Sequence, residues 1–165
     1  MTTENQEKLI LEAYRRTENR LVVQAEFAIA SDQRALVLAT VSVALAAVIA
    51  ALSQGTDSSR LLIGSTLLLS VSSLFAILAA WPQGMKTSGS KYAELKREIE
   101  SNQRYVDVVA GLCLNNDDYI DFNERRAVFR SHLYRLAIVL SALGMFLAVI
   151  GLNLGIAFPP NLPKE

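Results

Sequence analysis

Three uncharged apolar stretches punctuate this chain, from about Ala35 to Leu52, from Leu61 to Trp81 and from Leu136 to Phe158. Each is close to the roughly 20 residues that a helix needs to cross about 30 Å of hydrocarbon. No Asp, Glu, Lys or Arg falls between Leu36 and Leu52, between Leu61 and Gln83, or between Leu136 and Pro163. The third stretch carries a row of small residues, Ala137, Ser141, Gly144, Ala148, Gly151 and Gly155, alternately four and three positions apart. On a helix this row occupies one face, which a second helix can approach almost to backbone contact. The first stretch is two-sided as well. Ala35, Ala39, Ser42 and Ala46 make a small face suited to a helix partner, and Leu38, Val41, Leu45, Val48 and Leu52 a bulky one suited to lipid.

The polar positions predict how these spans connect. From Met1 to Gln54 there is neither proline nor glycine, and Thr3 with Gln6 has the spacing of a capping box. A helix from about Thr3 to about Ser53 is predicted, roughly 75 Å long at 1.5 Å per residue, so it must protrude beyond a bilayer. Ile10, Tyr14, Leu21, Ala25 and Ala28 mark one face of the protruding half, with Leu11, Val22 and Ile29 alongside and Arg15, Arg16, Glu18, Arg20 and Glu26 on a wet face. The Gly-, Ser-, Thr- and Asp-rich link from Ser53 to Arg60 turns the chain back, making the first two spans an antiparallel hairpin. Ser65, Thr66, Ser70, Ser72 and Ser73 in the second span read as packing glue, with a serine-lined water path as the alternative.

Trp81 followed by Pro82 marks the end of that span, and Gln83 to Ser90 reads as a loop. Tyr92, Leu95, Ile99, Val106, Val109 and Cys113 recur at helical spacing, predicting a helix that ends near Gly111. Asn115 or Asn116 is expected to cap a further helix, with Asp117 and Asp118 at its amino-terminal dipole. That helix meets no proline before Pro159, so it runs straight into the third span, where Asn153 is expected to bond between helices. The fold class is therefore all-α and integral to a membrane. Residues 1–34 form a cytosolic helix, 35–53, 61–81 and 136–158 cross the bilayer, and 82–135 complete a small cytosolic helical bundle.

Charge changes the picture through its placement. Sixteen basic and sixteen acidic residues cancel, yet the bases gather before the first span and between the second and third. By the positive-inside rule the amino terminus is cytoplasmic and the carboxyl terminus outside. Met1 to Arg34 mixes acids with bases and is expected to stay in the mature chain. Arg125, Arg126, Arg130 and Arg135, with Trp81, are the expected lipid-headgroup contacts.

A single cysteine, Cys113, and a single histidine, His132, leave no intramolecular disulfide and no Cys/His zinc site. With no phosphate loop, nucleophile elbow or paired acids at a catalytic spacing, no catalytic residue, metal ligand or cofactor is expected, and the chain is not read as an enzyme. The spans hold no ionisable residue, against proton-coupled transport. The small faces of the first and third spans exceed one hairpin contact and predict a homo-oligomer, with left- and right-handed crossings both open.

The run Tyr92-Ala93-Glu94-Leu95-Lys96-Arg97-Glu98, then Tyr105 and Ala110-Gly111, after a two-span hairpin, resembles the SLATT proteins of bacteria. The step Asp32-Gln33-Arg34-Ala35 is similar to the small membrane effectors of Pycsar systems. The likeness covers roughly Arg20 to Leu114. A third span, and Ser90 in place of an arginine upstream of the Ala-Glu pair, are this chain's departures. The resemblance implies antiphage defence, in which a nucleotide signal triggers an effector that damages the inner membrane. The expected function is thus an oligomeric effector in the bacterial inner membrane that permeabilises or depolarises it. Its partners are lipid, itself, and a cyclic nucleotide or cytosolic defence protein, with no nucleic acid. Arg15, Arg20, Lys96, Arg97 and Arg104 are the candidate contacts for an anionic ligand, against the reading that Glu12, Glu94, Glu98 and Glu100 pair with them on helix surfaces. The rival functions are a non-conducting scaffold or accessory subunit and a constitutive small channel.

Overall fold

The computed structural model describes residues 3–53, 59–82, 84–89, 96, 100–101 and 103–157. Among them there is no strand, and three helices carry the chain: α1 (Thr3–Leu52), α2 (Ser59–Ala80) and α3 (Tyr105–Ala157). All three are long and apolar enough to cross a membrane. The helix predicted from Thr3 to about Ser53 is α1, whose 50 residues hold no proline or glycine. Helix α2 stops one residue before Trp81-Pro82, where the proline ring disfavours helical backbone in the residue preceding it. In the loop that follows, Gly89 has φ +106°, a conformation glycine adopts without strain.

The third helix corrects the prediction. The chain is not helical at 103–104, and α3 then runs unbroken for 53 residues through Gly111, Asn115 and Asn116. The expected helix end at Gly111 and the asparagine cap after it do not exist. A glycine inside a helix costs about 1 kcal/mol against alanine, which tertiary packing over so long a helix overrides. Asp107, held by Arg104, provides the acid of the first turn instead of Asp117 and Asp118, which are exposed within the helix. The link at 54–58 and most of 90–99 lie outside the described residues, as do the side chains of Thr3 and Gly155's surroundings.

The contacts divide the chain into two compact units, one of Met1–Ala30 with Gln83–Val128 and one of Ser31–Pro82 with Phe129–Glu165. In the second unit, Ser73 and Arg130 apart, the buried positions follow an alternating three-and-four spacing on every helix. They are Ala35, Ala39, Ser42, Ala46 and Ile49 on α1, Leu62, Ser65, Leu69, Ser72, Ala76 and Ala79 on α2, and Ala137, Ser141, Gly144, Ala148 and Gly151 on α3. A strict period of seven is the one that goes with left-handed crossing. The bulky residues Val37, Val41, Val48, Leu67, Leu74, Val139, Phe146 and Val149 are exposed. In the first unit Leu21, Val109, Asn116, Ile120 and Asn123 are buried, and the predicted inner face of α1, with Ile10, Tyr14, Ala25 and Ala28, is at least half-buried.

Within each unit α1 and α3 pair at a constant offset in number. Asn116 bonds Thr17 and Asn123 bonds Gln24 in the first, and Ser141 bonds Ser42 in the second, each pair 99 residues apart. In the second unit Arg130 also meets Asp32, so in each unit the later residue of α3 meets the later residue of α1, and the two helices run parallel. Helix α2 is antiparallel to α3, since Ser65 reaches Gly144 and the later Ser72 reaches the earlier Ala137.

Candidate functional site, a polar line on the inner face of one helix

One row of residues on α3 recurs every seven positions and is buried throughout: Val109, Asn116, Asn123, Arg130, Ala137, Gly144 and Gly151. In the first unit the row is polar. The Asn116 amide donates to Thr17 Oγ1 at 3.2 Å, and that hydroxyl donates back to the Tyr14 carbonyl at 2.9 Å. Asn123 clasps the backbone of Lys86, accepting from its N–H at 3.1 Å and donating to its carbonyl at 2.8 Å, with Gln24 Oε1 at 3.4 Å. Buried amides of this kind demand partners, so they admit one register of α1 against α3 and disfavour slipped ones.

Arg130 continues the row into the second unit. Its guanidinium Nε donates to the Ala79 carbonyl at 2.6 Å, and Nη2 forms an ion pair with Asp32. Helix α2 has no basic residue in its last turn, so Arg130 supplies from another helix the cation that a carbonyl-rich helix end attracts. Side-chain exposure is only 10% for Arg130 and 31% for Asp32, so neither charge is solvated enough to stand alone. Arg130 is therefore not the lipid-headgroup contact expected from its place in a basic run. It lies on the inward row, where burial leaves Asp32 and Ala79 as its partners.

The other expected headgroup residues do lie on the surface. Arg125 and Arg135 are exposed, Trp81 is 61% exposed, and Arg126 is half-buried, donating to the Gly84 carbonyl at 3.0 Å with its guanidinium 4.2 Å from the Phe122 ring centroid.

The five candidate anion contacts are not brought together as one site. Arg20 binds Glu124 of α3 at 2.5 Å, Lys96 lies 3.6 Å from Glu100, and Arg104 makes a two-pronged contact with Asp107 at 2.9 and 3.0 Å. Arg15 is exposed, and Arg97 lies outside the described residues. Arg16 pairs within α1, and Lys96 and Arg104 pair with acids four and three positions further along the chain, whereas Arg20 crosses from α1 to α3.

As far as Gly151, the small-residue row is occupied within the chain. A Cβ on Gly144 would stand 3.0 Å from Leu69 Cγ and 3.3 Å from the Ser65 carbonyl oxygen, and one on Gly151 would stand 3.0 Å from Leu62 Cδ2. Ser65 and Ser72 donate to the carbonyls of Gly144 and Ala137 at 2.6 and 2.7 Å, and Ser42 lies 3.2 Å from Ser141. These serines are glue between helices, while Thr66 and Ser70 bond their own preceding carbonyls. The row on α3 and the small face of α1 thus meet partners inside one chain and supply no argument for self-association. Asn153 also departs from expectation, since it donates to Val149 of its own helix at 2.7 Å.

Two titratable groups of the first unit are perturbed. The Tyr14 phenol donates to Glu18 at 2.7 Å, and that bond, with burial, pushes it up to about 12. Burial, then the charge of Asp117, raises the Cys113 thiol, whose sulfur lies 3.9 Å from the Ile10 carbonyl. Among the described residues no group of three or more His, Cys, Asp or Glu is placed to hold a metal ion.

Sequence reasoning missed Asp32 as a charge partner, took Asn116 for a cap and passed over Asn123. The available signal was the seven-residue repeat: continued backward from Ala137, it lands on Arg130, Asn123, Asn116 and Val109. Compared with known proteins, the chain matches no family model, no curated protein and no solved structure.

Proposed function

We propose that this chain is a three-span protein of the bacterial inner membrane, with a cytoplasmic amino terminus and an external carboxyl terminus. In this reading it acts as a membrane effector that loosens the bilayer barrier when a cytosolic nucleotide or protein engages its first unit. The observation that carries the membrane reading is the inverted packing of the second unit, small and hydroxyl residues inside and bulky aliphatic ones outside. In water that arrangement exposes the residues with the most to gain from burial, whereas in lipid it costs nothing and lets the helices approach closely.

Support for a triggered effector over a constitutive channel comes from the closed seam. The inward hydroxyls of Ser42, Ser65, Ser72 and Ser141 are all engaged in helix contacts, so conduction requires the helices to repack, and assembly into an oligomer would then use other faces. Helices α1 and α3 each belong to both units, so a ligand that favours a different pairing in the first has a covalent path into the second. The kinship with SLATT and Pycsar effectors implied by the short motifs gives the same direction.

Induced expression in cells carrying a membrane-potential dye tests the function. Toxicity with depolarisation on supplying the trigger is the expected result. Unchanged potential and growth with the trigger present would assign the chain to the scaffold class, and depolarisation without any trigger to constitutive channels.

A further inference from the structure

Lys86 and Arg126 are two cations drawn onto one aromatic ring. Lys86 Nζ lies 4.9 Å from the Phe122 centroid and 4.7 Å from that of Tyr119, while the Arg126 guanidinium carbon lies 4.2 Å from Phe122. Among the described residues neither has a carboxylate at ion-pair distance, in contrast to Arg20, Arg104 and Arg130. Both are held in place by the backbone of the intervening loop. Asn123 grips the N–H and carbonyl of Lys86, and Arg126 Nη1 binds the Gly84 carbonyl, leaving further guanidinium donors and the ammonium protons for an acceptor outside the chain. With 4.9 and 4.2 Å to the same centroid, the two like charges stand no more than about 9 Å apart, and an anion reaching both would relieve their repulsion and supply the missing acceptors.

From this we infer that Lys86 and Arg126 form a binding site for the phosphate of an anionic phospholipid headgroup. The inference rests on the membrane reading above. Lys86 follows the exposed Trp81, at the end of the 22-residue apolar α2, by only five residues, a reach of at most about 18 Å of chain. With α2 in a bilayer and Trp81 at its interface, so short a tether allows Lys86 to reach the headgroup layer, where lipid phosphate is the abundant anion. The ring faces of Phe122 and Tyr119 tie the cations down, so the site selects a bound headgroup rather than a diffuse ion cloud.

Trp81 is the single tryptophan of the chain and reports on the lipids beside it. The full chain is reconstituted in phosphatidylcholine bilayers containing a minor fraction of either tail-brominated phosphatidylglycerol or tail-brominated phosphatidylcholine. The expected result is stronger quenching of Trp81 by the anionic lipid, an enrichment of about fivefold for each base. Lys86→Gln together with Arg126→Gln reduces it to parity, and Lys86→Arg keeps it. Because both substituted side chains reach the surface and the Asn123 grip is on backbone, helicity by circular dichroism stays unchanged. Equal quenching by the two lipids in the native chain overturns the site while leaving the membrane reading intact. Enrichment that survives the double substitution overturns it too. Loss of enrichment on adding millimolar inorganic phosphate would assign the pair to a soluble anion and overturn the lipid assignment. Absence of quenching by either lipid is the separate outcome that sinks the membrane reading itself.

Discussion

Gly111 and Gly144 lie on one helix, and their surroundings predict opposite effects of substitution. At Gly111 an added Cβ meets nothing within 4 Å, so Gly111→Ala should stabilise the fold by up to about 1 kcal/mol through reduced chain entropy. At Gly144 the same atom presses on Leu69 and on the Ser65 backbone, and Gly144→Leu forces α2 away, at a loss of about 1–3 kcal/mol or more. Denaturant titration of the detergent-solubilised variants checks both signs. The sequence distinguished Gly144 by its place in the row of small residues, but it presented Gly111 as a helix stop, because a glycine's local preference is blind to the packing that overrides it. Tyr14 offers a pH test. Its phenol ionises near 10.0 when unfolded and near 12 in the folded chain. The contribution of its bond to Glu18 is therefore whole below pH 10 and is lost as pH rises toward 12. Ultraviolet titration should show a late phenolate step that is absent in Tyr14→Phe and moves to lower pH in Glu18→Gln.

At the scale of elements, the ends of helices and their pairing depend on a few buried polar groups. Arg130→Met removes the partner of Asp32 and the donor to Ala79, and should destabilise the chain by about 3–5 kcal/mol. Adding Asp32→Asn should recover much of that loss, because an unpaired buried charge costs more than a missing pair. Additive losses in this double-mutant cycle would show the two groups to be independent. The pairing of α1 with α3 makes a second prediction. With Cys113→Ser in the background, Thr17→Cys with Asn116→Cys should form a disulfide within one chain, and Gln24→Cys with Asn116→Cys should not. The apolar helices and the inward faces of α1 and of the apolar half of α3 were legible from periodicity and residue size, whereas the inward face of α2 was not, since its hydroxyl residues Thr66 and Ser70 bond their own helix. The continuation of α3 through Asn116 was not, since an asparagine before two aspartates has the local chemistry of a cap and only Thr17, 99 residues away, makes it an interior residue.

At the scale of the whole molecule, the large exposed aliphatic surface of the second unit separates the proposal from any water-soluble alternative. The chain should stay with membranes through an alkaline carbonate wash and leave them only in detergent; release by carbonate alone would refute three spans. Oligomerisation was inferred from an apparent surplus of small residues. The chain folds back on itself with α2 against Gly144 and Gly151 and α1 against Ser141, so that surplus is taken up internally. The candidate anion contacts show the same limit of a one-dimensional reading: Arg20 and Arg104 looked like a shared cationic surface, and each is bound to its own carboxylate.

What the sequence determined by itself is the set of three apolar helices and the side of the first and third that turns inward, because hydrophobic period and residue size act through neighbours a turn or two away. Only the tertiary structure decided which residue meets each inward face: Asp32 and Ala79 for Arg130, Lys86 for Asn123, Leu69 for Gly144. Periodicity names a face but carries no address for its partner, and a charge or amide reveals whether it is a surface anchor or an interior pin only when the other helix arrives.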